Sequence, residues 1–184
     1  MAVNGAMQIS ELVSGQVSGV NAPASPPADP RLILRPEELD AALEQFLLAE
    51  AALWIAADPA LENEPHKLGR GHFRAAFLLK RRPGLGVKEL VRLTGLSKQG
   101  ASRVLRDLIE AGYATTLASE EDARRRPTVL TDAGAAFEGR VAERMRAHLS
   151  AAFRDGGLDA VLGARRILAA VAGPRAVRRS GDDL

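Results

Sequence analysis

Apolar residues recur along this chain at helical spacing, and the period changes to two only once. Between Arg35-Pro36 and about Ala57, Leu39, Leu43, Phe46, Leu47, Leu53 and Trp54 form one wide apolar face, which predicts a long helix. Pro36 suits a first helical turn, and Glu37, Glu38 and Asp40 suit the positive end of the helix dipole. Asp58-Pro59 is expected to end that helix, leaving residues 60–68 as a loop. A second helix is expected from about Gly69 to Lys80, on Phe73, Ala76, Phe77, Leu78 and Leu79, and a third over Val87–Thr94. Gly95 can end the third in a left-handed turn, and Ser97 can cap a fourth that runs to about Ala111 and stops at Gly112. Tyr113–Leu117 and Pro127–Leu130 then read as two strands of a hairpin with a polar tip. Thr131 can cap a helix to about Arg154, whose Ala133, Phe137, Val141, Met145 and Leu149 repeat at every fourth position. Gly156-Gly157 should break it, and a last helix is expected over Leu158–Ala172.

The fourth helix is two-faced. Ala101, Val104, Leu105 and Leu108 fall on one stripe, while Lys98, Gln99, Ser102, Arg103 and Arg106 fall on the other. A helix, a tight glycine turn and a second helix with a basic, amide-bearing outer face is the helix-turn-helix pattern. An ordinary solvated surface is the plain alternative for that face. Its charges argue otherwise. Lysine stands at the start of the helix, and Asp107 and Glu110 stand near its end, the reverse of what the helix dipole favours. Such an order suits an anionic partner. The hairpin that follows reads as a wing, and Arg124, Arg125 and Arg126 at its tip suit phosphates and the narrow minor groove. The fold class expected is mainly α with a small β-hairpin wing (α+β), a winged helix-turn-helix flanked by N- and C-terminal dimerisation helices.

Charge sharpens this picture. The 184 residues carry a net charge of only +2. Yet residues 67–126 hold 14 Lys/Arg against 6 Asp/Glu, and the remainder holds 11 against 17. The basic surplus therefore surrounds the helix-turn-helix, as a DNA-binding footprint requires. The absence of cysteine excludes disulfides and thiolate metal sites. No apolar run is long enough to span a bilayer, and no Lys or Arg precedes Arg31, so a cytoplasmic protein is expected. Residues 1–34, rich in Ala, Gly, Ser and Pro, read as a flexible arm, and residues 174–184 as a disordered tail. Between them, residues 35–173 form the domain, with a DNA-binding lobe at about 69–131. The long apolar faces of residues 35–57 and 132–173 exceed what one winged domain needs. A homodimer interface is the simplest use for them, with Val141 and Met145 expected across the contact.

Two long helices, a helix-turn-helix, a wing and two C-terminal helices resemble the MarR family of bacterial transcriptional regulators. The motif that carries the resemblance is Asp122 and the arginines after it, then Val129-Leu130-Thr131-Asp132-Ala133-Gly134. It is similar to the family's D-x-R…V-x-L-T-x-x-G pattern. Gly69–Arg74, Pro83–Leu90 and Ser97–Leu105 look like the PetP-like branch of that family. The resemblance covers about Pro36 to Gly173. It implies a symmetric dimer that binds a pseudo-palindromic operator, often represses, and is often released by a small-molecule effector. Trp54, His66, His72 and Phe73 lie near where the family holds such effectors and are the candidate pocket residues. His66 and His72, with Glu62 or Glu64, give only a weak zinc signal, so no metal is expected. Nor is a cofactor or an enzyme. No P-loop lysine or dinucleotide fingerprint follows the glycines, and neither a nucleophile nor a carboxylate pair stands out. A winged-helix module for protein assembly, without sequence-specific DNA binding, is the alternative reading.

Overall fold

The computed structural model describes residues 34–117 and 127–173. Five helices and a two-stranded antiparallel sheet follow in order: α1 (Pro36–Glu62), α2 (Arg70–Arg81), α3 (Val87–Thr94), α4 (Lys98–Glu110), β1 (Ala114–Thr116), β2 (Thr128–Leu130) and α5 (Asp132–Ala172). The chain divides into two units, Met1–Asp40 and Ala41–Leu184. In the first, the described residues are the start of α1 and the two residues before it. There the Glu38 carboxylate accepts the Arg35 N–H at 2.8 Å, closing the first turn. Among the described residues no helix is long and apolar enough to cross a membrane. The N-terminal arm, the hairpin tip and the C-terminal tail that the sequence suggested lie outside the described residues.

Helix α1 does not end at Asp58-Pro59. It continues to Glu62 with Pro59 inside it. Proline forfeits one backbone hydrogen bond there, but Ala57 and Leu61 on either side are buried in the core. The Asn63 amide also donates to the Pro59 carbonyl at 2.7 Å and so caps the extra turn. The gain from burial and capping outweighs the local cost of proline.

The core of the second unit gathers Trp54, Phe73, Leu79, Leu90, Leu108 and Phe137, with smaller residues between them. Helix α5 supplies Phe137, Val141 and Ala142, each at most 1% exposed. This corrects the expectation for Val141, which is buried within its own chain and is not left over for a second subunit. Met145 packs against the same core and is partly buried. Further along, Leu149, Phe153, Leu158, Leu162 and Leu168 are exposed, as are Leu43 and Leu47 on α1. Helix α5 passes through Gly156 and kinks at Gly157 (φ 75°, ψ 175°), where the sequence placed its break.

Two carboxylates fasten α5 to the rest of the unit, and both are buried. Glu138, 0% exposed, accepts from Lys80 and from Arg81 (3.2 Å) at the end of α2. Glu64, between α1 and α2, accepts from the Tyr113 phenol and from Arg140 of α5 at 2.9 Å. A carboxylate so enclosed must be paired, because an unpaired buried charge costs several kcal/mol. Burial, and then the hydrogen bond to Glu64, raise the Tyr113 phenol above its ordinary pKa of 10.0.

Tyr113 is where the elements meet. Its ring stacks on Phe137 at 5.3 Å, and its carbonyl accepts the Thr131 N–H at 3.1 Å. The Thr131 hydroxyl donates to the Gly112 carbonyl (2.7 Å) and accepts the Gly134 N–H (3.1 Å), so it caps α5 while holding the end of α4. Gly134 lies so close to Tyr113 that an added Cβ would stand 1.9 Å from the Tyr113 carbonyl oxygen. The pair Thr131…Gly134 is thus a close-packing device. β1 pairs with β2 through Ala114–Leu130, Thr115–Val129 and Thr116–Thr128. Gly84 of the α2–α3 turn donates to the Thr128 carbonyl at 2.9 Å and ties that turn to the hairpin.

Gly134→Ala should therefore destabilise the fold by about 1–3 kcal/mol or more, the cost of overpacking. Gly139→Ala, on the same helix with nothing within 4 Å, should be neutral or stabilise by up to about 1 kcal/mol. Urea unfolding of the two variants checks the contrast. Equal effects would mean that the approach of Gly134 to Tyr113 is not a constraint.

Candidate nucleic-acid interface

Helix α4 is positioned at both ends by its own sequence. Gly95, at φ 73°, ends α3 and donates to the Val91 carbonyl at 2.9 Å. The Thr94 hydroxyl donates to the Leu90 carbonyl (2.6 Å) and accepts the Leu96 N–H (3.3 Å), which stiffens the turn. The Ser97 hydroxyl accepts the Gly100 N–H at 3.0 Å and caps α4. At the far end Gly112, at φ 72°, lets the chain reverse into β1. Ala101, Val104, Leu105 and Leu108 are buried on one side, at 0–8% exposure.

The other side carries all five residues singled out from the sequence. Lys98, Gln99, Ser102, Arg103 and Arg106 are exposed and together line an open surface recess of ≈ 770 Å³ with Ser97 and Gly100. Among the described residues no ion pair engages Lys98 or Arg103. Arg106 lies 3.8 Å from Glu110 and 4.0 Å from Asp107. It is 63% exposed, and such surface pairs are worth about 0–1 kcal/mol, too little to hold the guanidinium against a phosphate. Arg124, Arg125 and Arg126 lie outside the described residues, and the base of their hairpin is formed by β1, β2 and the Leu117 N–H donated to Pro127 O at 2.9 Å.

A second recess, of ≈ 460 Å³, opens between α1, α2, α3 and α5. It is lined by Trp54, Phe73, Phe77 and Met145, with Leu93 and Thr94 at the end of α3, and by the charged pair Glu50 and Arg74. Trp54 and Phe73 meet edge to face at 6.0 Å. The guanidinium groups of Arg70 and Arg74 each lie 5.1 Å from the Trp54 ring centre. Arg74 is held by Glu50 at 2.6 Å, and Arg70 by Asp58 at 2.6 Å. The four residues expected to form one pocket therefore separate. Trp54 and Phe73 line this recess; His66 and His72 do not. The exposed His66 ring stands edge-on to Tyr113 at 5.2 Å, and His72 reaches Asp107 of α4. Glu50 and Arg74 were missed from sequence, although Glu50 lies four residues before Trp54 and Arg74 four residues after Arg70, which stands over the same tryptophan.

These surfaces can be set beside known proteins. Residues 66–125 match the sequence profile of the MarR family. Over 155 residues the chain is 36% identical to the HTH-type transcriptional regulator PetP of Rhodobacter capsulatus, across 84% of this chain and 92% of that protein. The chain belongs to the MarR family. It is a DNA-binding transcriptional regulator of that family and not an enzyme. The fold is similar to that of the Mycobacterium tuberculosis MarR family protein Rv2887, solved with p-aminosalicylic acid (TM-score 0.53, 26% identity, 71% of this chain and 97% of that one). It is also similar to Staphylococcus aureus MarR, solved with salicylate and kanamycin (TM-score 0.61, 17% identity, 74% of this chain and 91% of that one). At 17% identity that second likeness speaks for the winged-helix fold alone.

Proposed function

We propose that this MarR-family protein is a homodimeric repressor that reads a pseudo-palindromic operator with α4 of each protomer. The observation that carries the reading is the division of α4. Four apolar side chains anchor it in the core, and five polar or basic ones are left exposed on the outer face. Gln99 and Arg103 stand one turn apart and point the same way. Glutamine can pair with adenine through two hydrogen bonds, and arginine with guanine. Lys98 and Ser102 lie beside them as phosphate or secondary base contacts, and Arg106 reaches either. Arg124, Arg125 and Arg126 act on phosphates or in the minor groove. A dimer that spaces two such helices about 34 Å apart would enter successive major grooves on one side of the duplex.

The exposed apolar residues of α1 and of α5 beyond Met145 support the dimer, since a lone subunit would leave them in water. The recess at Trp54 supports release by a small molecule. Its aromatic walls suit a ring, and Arg74, whose carboxylate partner is exposed, suits an anion. A small aromatic acid combines both features.

Gln99→Ala and Arg103→Ala should each alter base preference at particular half-site positions, by about 1–3 kcal/mol. Arg124→Ala should instead weaken binding to every sequence alike and lower the salt dependence by about one unit per lost phosphate contact. Binding across single-base operator variants separates the two behaviours. A uniform loss for Gln99→Ala and Arg103→Ala, with base preference intact, would reduce α4 to a grip on the backbone.

The double variant Leu43→Asp, Leu47→Asp changes two residues that are 58% and 60% exposed in the monomer. The subunit should therefore fold as before. In a dimer the new carboxylates would be buried, at a cost of several kcal/mol. Sedimentation should show a folded monomer. A dimer as tight as that of the unaltered chain would place the interface elsewhere.

A further inference from the structure

The acid near the end of α4 stands against the helix dipole, and its partner is a histidine from another helix. His72, in the first turn of α2, accepts the Gly69 N–H on Nδ1 at 3.0 Å. An accepting Nδ1 carries no proton, so the ring's proton lies on Nε2. Nε2 is 3.1 Å from Asp107 Oδ2 and donates to it. The contact is sheltered, with His72 18% exposed and Asp107 30% exposed. One residue earlier, a Cβ on Gly71 would lie 3.5 Å from Val104 of α4. The start of α2 therefore touches α4 at positions 104 and 107, one turn apart. Arg103 stands one turn before Asp107 on the same flank, and Gln99 one turn before that. A rotation of α4 that broke the contact at Asp107 would carry both base-reading candidates with it.

We infer that His72 is a positioning residue for sequence reading: through Asp107 it sets the angle at which α4 presents Gln99 and Arg103 to the bases. This rests on the reading of α4 as the helix that contacts base edges. It gives His72 a role unrelated to metal or effector binding. It also accounts for an aspartate at the unfavourable end of a basic helix, since Asp107 is there to receive the tie.

Two substitutions isolate the ring's bond to Asp107. Asparagine places its polar atoms near Nδ1, so His72→Asn keeps the cap on Gly69 and loses Asp107. Glutamine reaches as far as Nε2, so His72→Gln keeps a donor for Asp107, and from this third helical position its carbonyl can still serve Gly69. The experiment uses the full chain and a DNA fragment selected by the unaltered protein. Binding is compared for that fragment, for its single-base variants and for unrelated DNA. The expected result is that His72→Asn loses about tenfold in discrimination at the positions read by Gln99 and Arg103, the scale of one hydrogen bond to a charged group. Its affinity for unrelated DNA is retained, and His72→Gln restores the discrimination. Asp107→Ala, which removes the acceptor, should match His72→Asn, and the two together should lose no more than either alone. The proposal is overturned if His72→Asn keeps full discrimination, if His72→Gln loses as much, or if every DNA is weakened equally. Nitrogen-15 spectra of the unaltered protein, whose imidazoles need no substitution, give an independent reading. A protonated Nδ1 in the neutral His72 ring would also overturn it. Should the unaltered chain select no DNA at all, the reading of α4 itself fails first, and that outcome is seen before any variant is made.

Discussion

The close approach of Gly134 to the Tyr113 carbonyl is the constraint on which the rest of the structure depends. Helix α4 ends at Gly112, and the next residue is already locked. Tyr113 stacks on Phe137, gives its hydroxyl to Glu64 and accepts Thr131 on its carbonyl. Four parts of the chain converge there: the end of α4, the start of β1, the α1–α2 connection and the first turn of α5. Any side chain at position 134 would push α5 away from the strand. The Tyr113 phenol stays neutral well past physiological pH, because burial and the neighbouring carboxylate both oppose its ionisation. The hydroxyl therefore keeps its proton for Glu64 at neutral pH.

Around this fixed point α4 is gripped from behind and left open in front. Its buried side fits the core, and among the described residues its front holds no strong ion pair that DNA would have to break. Helix α2 lies behind it and faces two ways. Gly71 and His72 contact α4, while Phe73 and Arg74 line the recess beside Trp54. A molecule seated on Trp54 would thus press on the helix that also braces the face of α4 proposed to read DNA. The recess also ends at Leu93 and Thr94, just before the Gly95 turn into α4. In the proposed reading, binding and release share one mechanical element without a long relay between distant sites.

Much of this was legible in the sequence because the signals were local. Gly95, Ser97 and Gly112 mark the ends of α3 and α4, and the stripe of Ala101, Val104, Leu105 and Leu108 tells inside from outside. The hairpin strands and the kink at Gly157 were equally local. What escaped was tertiary. Pro59 reads as a stop, but burial of Ala57 and Leu61 carries α1 past it. A repeat of apolar residues at every fourth position looks the same whether it meets its own core or another subunit. Val141 proved to belong to the former. Glu64 and Glu138 carried no sign of their structural role in the sequence, because their partners lie 49 to 76 residues away. His66 and His72 are close in sequence, but sequence does not tell which way each ring turns.

If two copies of this chain read an inverted repeat with α4, repeated selection of bound fragments from a random DNA pool by the purified protein should enrich such a repeat. Its half-sites should lie about one helical turn apart, between about 10 and 10.5 base pairs centre to centre. Retention of DNA with no sequence enrichment, or enrichment of a single unrepeated site, would exclude that mode of reading.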